Sequence, residues 1–497
     1  MASSDTLFDG IDGGSGNRPE PPGLASQAKT FRPYRPTQLF LVPPSIDEWL
    51  PQDHQARFVG EAVDELLDLD QIYASYPSTQ GAPPYDPAMM LKILLWGYSS
   101  GVTSAREMER RCVTDVAFRF LAANQTPDYR SIARFRRRHL QAVSDLFTQV
   151  LVVCQQAGLV KLGRVALDGT KIRANASRHK AMSYQYLGPR IAQVQAEVDR
   201  LLAQGEQVDQ DEDAKYGVDR RGDELPRELA RRQSRLAKMR AAKADLEAAA
   251  RDKAQAEAEC QARDKARKAG VDPGQGEALA VEAGQQAREK AVPKKTDQRN
   301  FTDPQSRIMK TGDGSFHYAY NGQAVVDEAH QVIVATLVTQ AATDVNQLTP
   351  MIQVMGTQLQ AAGITGPARV LLADAGYCSE DNLEQVAGLP MPVLVATGRL
   401  AHGSEILQAG EALVVDGEAT RRQQMADRLR SLQGRRDYAR RKAIVEPVFG
   451  QMKVRQNAGR ARLRGLEGVT GEFTLHAVVH NLRKLANTGL RACAIRT

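Results

Sequence analysis

The sequence predicts an α/β protein, with a mixed sheet flanked by helices, a helical N-terminal domain and a long helical insertion after the first strand. Short apolar segments alternate with helical patterns from about residue 164 onward, which is typical of such a sheet. Apolar residues at helical spacing dominate residues 37–160. Ala, Gln, Glu, Arg and Lys dominate residues 185–298, with apolar residues at spacings of three and four, which indicates a long helical hairpin or coiled coil.

The 497-residue chain is long enough for two or three domains. The first residues are rich in Gly, Ser and Pro and predict a disordered arm. Residues 265–298 contain Gly, Pro and Lys and predict a flexible return from the insertion to the sheet. The predicted segments are an arm (1–36), a helical N-terminal domain (37–160), the first part of the sheet region (161–184), the insertion (185–298), the rest of the sheet region with basic C-terminal helices (299–487) and a tail (488–497).

Two carboxylates are predicted to meet at one edge of the sheet. An apolar run that begins at Val165 ends in Asp168, and a later buried strand ends in Asp374. If these strands are adjacent, both carboxylates emerge at the same edge, and Glu446 on a basic helix could join them. Three hard oxygen ligands suit Mg²⁺ or Mn²⁺. Two such ions about 3.5–4 Å apart activate a water or a 3′-hydroxyl and stabilise the leaving oxygen of a phosphoryl displacement.

Each acid also has a simpler interpretation. An Asp at a strand end, such as Asp168, is more often a cap or turn residue. Glu446 could form an ion pair with Lys442 or Lys453. Asp344 precedes a predicted helix, and this position favours an N-cap.

The distribution of charge favours a polyanionic partner. The net charge is +7, and residues 421–497 contain 18 Lys and Arg against 5 Asp and Glu. Cations near the three acids would hold a DNA backbone. These candidates are Lys171, Arg173, Lys442, Lys453 and Arg455. A solvated basic face is the alternative interpretation. Aromatic residues make up only 5% of the chain, which argues against base stacking as the main binding mode.

The end of the N-terminal domain is a second basic element. Residues 126–139 combine a turn with a basic helix on which Arg134, Arg137 and Arg138 can share one face. Short helices joined by tight turns suit a helix-turn-helix-like DNA reader. A helical bundle with a solvated basic face explains the same pattern, and both interpretations stay open.

Other classes of site and location have little support in the sequence. It contains no Gly-rich phosphate-binding loop, no zinc-protease motif and no nucleophile elbow, and its eight histidines form no cluster at ligand spacing. Five widely separated cysteines predict reduced thiols. No apolar run approaches about 18 residues, and the first residues do not resemble a secretory leader. We therefore expect a cytoplasmic protein that does not span a membrane.

Over residues 37–487 the chain resembles bacterial insertion-sequence transposases of the DDE class, specifically insertion-sequence family 1182. The resemblance rests on several short motifs in a fixed order, among them Ala373-Asp-Ala-Gly-Tyr377. The matching stretches are residues 85–87, 126–136, 167–177, 216–217 with 222–226, 373–377, 445–453 and 480–485.

The resemblance implies an RNase H-like core in which Asp168, Asp374 and Glu446 form the metal-binding triad. It also implies metal-dependent DNA cleavage and strand transfer, with Mg²⁺ (or Mn²⁺) as cofactor, and double-stranded DNA at the element ends and at the target as partner, bound by a homodimer. Related families carry a Lys seven residues after the Glu, which Lys453 matches. In the place of their Arg this chain has Lys442, and Tyr438 is one residue out of register.

Two other functions fit the same residues. The chain could be a sequence-specific DNA-binding protein without catalytic activity, derived from a decayed or repurposed element. It could also be a nuclease of the same fold that cleaves DNA without transferring strands.

Overall fold

In the computed structural model, the residues described are 45–76, 83–177, 179–216, 227–398 and 420–489. From Ile46 onward they belong to one compact unit. The predicted arm at 1–36, the predicted bend at 222–226 and most of the predicted tail lie outside the described residues.

The N-terminal region is helical, as predicted. Aspartates begin several of its helices: Asp86, Asp115 and Asp128 each accept backbone N–H groups of the first turn that follows. The helices are α1 (Ile46–Trp49), α2 (Gln55–Glu61), α3 (Asp70–Ala74), α4 (Pro87–Ser99), α5 (Ala105–Thr114), α6 (Val116–Leu121), α7 (Tyr129–Arg138) and α8 (Leu140–Gln156). Most of their buried apolar side chains belong to the same hydrophobic core as those of the sheet, and the predicted burial of α4 is confirmed.

The sheet is mixed, as predicted. Strands β2 and β3 form a separate two-stranded ribbon, and the other strands form the main sheet. The strands are β1 (Arg164–Arg173), β2 (Ala181–Ser183), β3 (Gln298–Asn300), β4 (Arg307–Lys310), β5 (Phe316–Asp327), β6 (Ile333–Thr339), β7 (Val370–Ala373) and β8 (Val393–Val395). Strand β5 pairs antiparallel with β1 along one edge and with β4 and β6 along the other. Strand β7 pairs parallel with β1, and β8 pairs parallel with β7.

The first strand continues beyond its apolar run. The sequence placed Asp168 at a strand end, but β1 continues to Arg173 because Asp168–Arg173 pair with β5 residues 319–324. Ladder hydrogen bonds to a long neighbour hold these polar residues in strand conformation despite the end of the apolar run. The pairing with β7 covers only Arg164–Ala166. Asp168 therefore lies in mid-strand, just beyond the end of the parallel ladder.

The insertion is helical, as predicted. Its helices are α9 (Tyr184–Tyr216), α10 (Arg227–Lys268) and α11 (Pro273–Lys290). A small separate core joins α9 and α10, formed by Leu187, Val194, Val198, Leu229, Leu236, Met239 and Leu246.

The flexible return predicted for residues 265–298 is wrong, because most of it is helical. Asp272 accepts the N–H groups of the following turn, and Pro273 occupies the first helical position, where its missing N–H is not needed. Small residues then allow α11 to lie close to α10: a Cβ on Gly276 would lie 3.1 Å from the Cβ of Ala266.

Helices of the C-terminal half cover the sheet. They are α12 (Leu348–Ala361), α13 (Glu380–Ala387), α14 (Arg421–Arg430), α15 (Leu432–Tyr438), α16 (Arg441–Arg455) and α17 (Leu466–Ala486). Pro447 lies inside α16 and cannot donate to the carbonyl of Ala443, but the Gln331 side chain donates to this oxygen instead, at 3.0 Å. Gln331, in the turn between β5 and β6, thereby replaces the hydrogen bond that Pro447 cannot make, and it holds α16 in place.

Helix α17 is fastened to the same turn by buried polar side chains. Asn481 accepts from the N–H of Ile333 and donates to its C=O, at 2.9 and 2.8 Å. His480 Nε2 lies 2.9 Å from the carbonyl oxygen of Gln331, and Lys484 donates to the Gln331 side chain. These contacts explain structurally the motif at residues 480–485. No helix among the described residues is long and apolar enough to cross a membrane.

Replacing Asn481 by Leu should lower the free energy of unfolding by about 2–4 kcal/mol, because two buried backbone groups lose their partners. Urea denaturation of both proteins measures the difference. Asn487→Leu at the exposed end of the same helix is the control and should change stability by less than about 0.5 kcal/mol. Equal stability of the Asn481 variant and the wild type would contradict the assigned role.

Acid should destabilise the fold through His480. Burial lowers the pKa of His480 to about 4, whereas an unfolded His has a pKa of about 6.5. Between these values the unfolded chain binds more protons, so stability present above pH 6.5 is lost as pH falls towards 4. In His480→Gln, which can still donate to Gln331, we expect a shallower loss of stability between pH 7 and 5. An unchanged slope in urea denaturation across this range would refute the assignment.

Candidate active site

Asp168 and Asp374 are brought together by the pairing of β1 with β7. The parallel register aligns Ala166 with Leu372, so two residues further along the chain Asp168 and Asp374 occupy matching positions. The condition set by the sequence, that the two strands are adjacent, is thereby met. Asp374 directly follows β7, and its Oδ1 accepts the N–H of Gly376 at 2.9 Å.

The Asp168 carboxylate is largely buried and held from two sides. Its Oδ1 accepts the N–H of Gly169 at 2.8 Å, and its Oδ2 accepts from Arg441 Nη1 at 3.2 Å. Burial raises the pKa of Asp168, the negative charge of Asp374 raises it further, and Arg441 opposes both effects. Two carboxylates thus lie close together with a single guanidinium bonded to the more buried one.

Arg441, the first residue of α16, is nine-tenths buried. Burial disfavours its charge, but the attraction of Asp168 and the neighbouring acids outweighs this and raises the pKa of Arg441. The resemblance assigned Lys442 to the position of the arginine that related families carry before the Glu, but Lys442 is exposed. The pattern Arg441, Val445, Val448 and Met452, all buried on one helix face, is the signal that could have identified Arg441.

The start of α16 is fixed by an ionic cluster around Asp437. This buried carboxylate accepts from Arg164 of β1 at 2.7 Å and from Arg369, next to β7, at 2.7 Å. Although burial opposes it, these hydrogen bonds lower the pKa of Asp437 to about 2. Arg440 pairs with Glu328, which also binds Arg164. The cluster ties the turn before α16 to both strands that carry the aspartates.

Asp344 is a third carboxylate at this place, and its predicted role as a helix cap is wrong. Its side chain makes no capping hydrogen bond. Instead Oδ1 accepts from Asn321 at 2.6 Å, from Gln323 at 2.7 Å and from Lys171 at 3.3 Å. Strand β5 presents these two amides to Asp344, an arrangement that no spacing along the sequence indicates.

Two glycines make room for this group of side chains. A Cβ on Gly169 would lie 2.9 Å from Asp344 Oδ1 and 2.5 Å from Gln323 Nε2. A Cβ on Gly376 would lie 3.0 Å from Asp374 Oδ1 and 3.8 Å from Asp344 Oδ2. The glycines that follow Asp168 and precede Tyr377 therefore allow the aspartates to approach one another.

Tyr377 lies fully buried behind the aspartates, and its hydroxyl hydrogen-bonds to Gln323 Oε1. Burial raises the pKa of Tyr377, and the charges of Asp344, Asp168 and Asp374 raise it further. The phenol therefore stays neutral and links the amides of β5 to the turn after β7.

Glu446 stands apart in side-chain contacts. It is exposed on α16 and makes no hydrogen bond or ion pair within the described part of the chain, so the alternative ion pair with Lys442 or Lys453 is not formed. Lys453, whose side chain is exposed overall, lies within electrostatic range of Asp168: burial of part of the side chain lowers the pKa of Lys453, and the charge of Asp168 opposes this shift. Among the described residues no three His, Cys, Asp or Glu side chains have the spacing of metal ligands.

The other predicted DNA contacts divide into engaged and exposed side chains. Lys171 is bonded to Asp344, and Arg173 is paired with Asp313 at 2.5 Å. Lys442 and Arg455 are exposed on α16.

On α7, Arg134 and Arg137 are exposed, whereas the Arg138 guanidinium lies 4.4 Å from the centre of the Tyr76 ring. Arg136 on the same helix is buried and donates to Tyr98 at 2.9 Å. The helix thus uses one arginine in the core and turns the others outward.

Comparison with known families locates two matches. Residues 44–138 match the family described as Transposase domain (DUF772), and residues 408–486 match the family described as Transposase DDE domain. Both matched families are described as transposase domains. The first match contains the exposed arginines of α7, and the second contains Arg441, Glu446 and Lys453. No curated protein and no solved structure matches the chain. The matches support a DDE transposase, a class of domain that generally uses divalent metal ions.

On the expectation that Asp168 binds a metal ion for DNA cleavage, replacing Arg441 by Gln should reduce cleavage about 10- to 100-fold, the usual effect of removing a group that orients a metal-binding carboxylate. Arg441→Lys, which keeps the charge, should retain more activity. Arg436→Gln, at an exposed position of α15 outside the ionic cluster around Asp437, is the matched control and should cleave like the wild type. Cleavage rates at saturating DNA measure the effect. Equal rates for the Gln variants of Arg436 and Arg441 would exclude a positioning role for Arg441.

Proposed function

We propose that this chain is an insertion-sequence transposase of family 1182 that binds the ends of its element, cleaves there and transfers the strand to target DNA. The observation that carries the proposal is the placement of Asp168 beside Asp374 on adjacent parallel strands, under a helix from the matched DDE domain. The mixed sheet with helices packed on it supports an RNase H-like core.

The residues present fit a divalent metal ion. Asp168 and Asp374 offer hard carboxylate oxygens side by side, and burial together with mutual repulsion disfavours the charge on Asp168. Their combined charge exceeds that of the one guanidinium bonded to Asp168. This donor set suits Mg²⁺ or Mn²⁺ rather than a softer metal. Asp168, Asp374 and Glu446 would hold two such ions.

The geometry of α16 supports Glu446 as the third member. Arg441 and Lys453 both interact electrostatically with Asp168, although they lie 12 residues apart, about 18 Å along the helix. Asp168 therefore faces the middle of α16, where Glu446 lies. Glu446 also shares a face with Lys453, because seven residues make about two helical turns.

Bound ions would supply an activated water or 3′-hydroxyl and stabilise the leaving oxygen of the phosphodiester. The chain's own side chains would position the reactants. Arg441 holds the Asp168 carboxylate, and Lys453 offers its ammonium to a phosphate oxygen at the same place. Asp344 holds Lys171 at the edge of the site, from which Lys171 could contact the backbone of bound DNA.

Exposed cations would bind the DNA away from the reaction. Arg134 and Arg137 on α7 would contact the element end, with Arg138 beside them, and Lys442 and Arg455 would contact the backbone near the site. Arg173 would join them by exchanging Asp313 for phosphate. Joining two ends requires two sets of these residues, which supports a homodimer on DNA.

One observation favours a second candidate, a DNA-binding protein without catalytic activity. No three potential ligands among the described residues have metal-ligand spacing. Such a protein would bind duplexes that carry the element ends and leave them intact in Mg²⁺ and in Mn²⁺. Cleavage by the wild type excludes this candidate, and cleavage without strand-transfer products identifies a nuclease.

Asp168→Asn should abolish Mg²⁺-dependent nicking, with a loss of at least about 10³-fold, while DNA affinity changes less than about threefold, because the amide cannot replace a charged metal ligand. Nicking of a labelled duplex that carries the DNA flanking the gene measures the first effect, and fluorescence anisotropy measures the second.

Asp381→Asn is the control, since this exposed aspartate lies on α13 outside the proposed triad. It should nick like the wild type. Equal nicking by the Asp168 variant would overturn the proposed triad.

A further inference from the structure

A groove with basic walls lies at the base of the helical insertion. Its cavity volume is about 760 Å³. One wall is α10, and the other consists of β2 with the residues before it and those that follow β3. Met182, Met239 and Phe301 contribute apolar surface. We call this feature the α10 groove.

The cations of the α10 groove are arranged in a line. Arg231, Arg235 and Lys238 lie at positions i, i+4 and i+7 of α10 and so share one face of the helix. Lys180 lies on the opposite wall beside His179. All five side chains are exposed, and no acidic residue is among the described residues that line the groove.

The positive charge is directed into the groove. On the side facing α9, Arg232 pairs with Glu197, and Arg240 donates to Gln195 at 2.7 Å. By contrast, Arg231, Arg235 and Lys238 form no ion pair with any described residue. Residues 229–244 contain six Lys and Arg and no Asp or Glu. The cations of α10 that face α9 therefore have partners, whereas those that face the groove are available to bind an anion.

We propose that the α10 groove binds the phosphate backbone of duplex DNA, an inference that rests on the proposed function. Seven residues of α10 span about 10.5 Å, the rise of about three base pairs at 3.4 Å each. Cations spread along such a line fit successive phosphates of one strand, whereas a single phosphate group would need cations that converge on a point. Lys180 contacts the same backbone from the facing wall.

The position of the groove along the chain suits the same DNA molecule. Lys180 follows Asp168 by 12 residues, so the two lie no more than about 43 Å apart. One turn of B-DNA is about 34–36 Å long. A duplex bound at Asp168 therefore needs to extend little more than one helical turn to reach the groove. The insertion then acts as a second, sequence-independent grip on DNA that is held at the carboxylates.

The test compares two triple variants of the full-length protein. The groove variant is Arg231→Gln, Arg235→Gln and Lys238→Gln. The matched control removes three exposed cations from α10 outside the groove, with the changes Arg251→Gln, Lys253→Gln and Lys265→Gln. Both variants lose three positive charges, and both lose them from the same helix. Fluorescence anisotropy with a 40-base-pair duplex of arbitrary sequence, and with one of its single strands, measures affinity between about 0.05 and 0.2 M salt.

The groove variant should bind the duplex at least tenfold more weakly than the control, and the slope of log affinity against log salt should fall by about three, one for each lost phosphate contact. Equal affinity and slope for the two variants would refute DNA binding by the α10 groove. If the wild type still binds and nicks DNA in that case, the proposed function stands. A loss confined to the single strand would overturn duplex binding. Failure of the wild type to bind any DNA would overturn both proposals.

Discussion

The short parallel pairing of β1 with β7 is the constraint on which the candidate site depends. Only three residue pairs form this ladder, but the alignment of Ala166 with Leu372 fixes the positions of Asp168 and Asp374 two residues later. The antiparallel pairing with β5 then keeps β1 extended through Asp168 instead of allowing a turn. A shift of one residue would turn one aspartate to the other face of the sheet.

The second requirement is that α16 lies across this edge in a fixed orientation. The buried carboxylate of Asp437 accepts from arginines beside both strands, and Gln331 satisfies the carbonyl that Pro447 leaves without a donor. Helix α17 fixes Gln331 in turn. Helix α16 is thus held at its N-terminal turn by two sets of contacts, and this turn carries Arg441, which reaches Asp168.

Where the expectations were wrong, contacts between distant parts of the chain overrode local patterns. Strand β1 outlasts its apolar run because β5 supplies ladder partners. Helix α11 forms where Gly and Pro predicted a flexible return, because an Asp-Pro start and small residues suit packing on α10. Asp344 binds the amides of Asn321 and Gln323 across the sheet and does not cap its own helix. Each decisive partner lies far away or on another element.

The sequence by itself determined the mixed α/β class, the helical N-terminal region and the helical insertion, because hydrophobic periodicity is a local property. It also selected Asp168, Asp374 and Glu446 as acids, and Lys453 through resemblance, and all four stay predictions as site residues. Only the tertiary structure decided that Arg441 contacts Asp168, that Asp344 lies with the other two aspartates, and that one face of α10 lines a groove with cations that form no ion pair with any described residue. These features depend on which faces of distant elements meet, and spacing along the chain does not encode that.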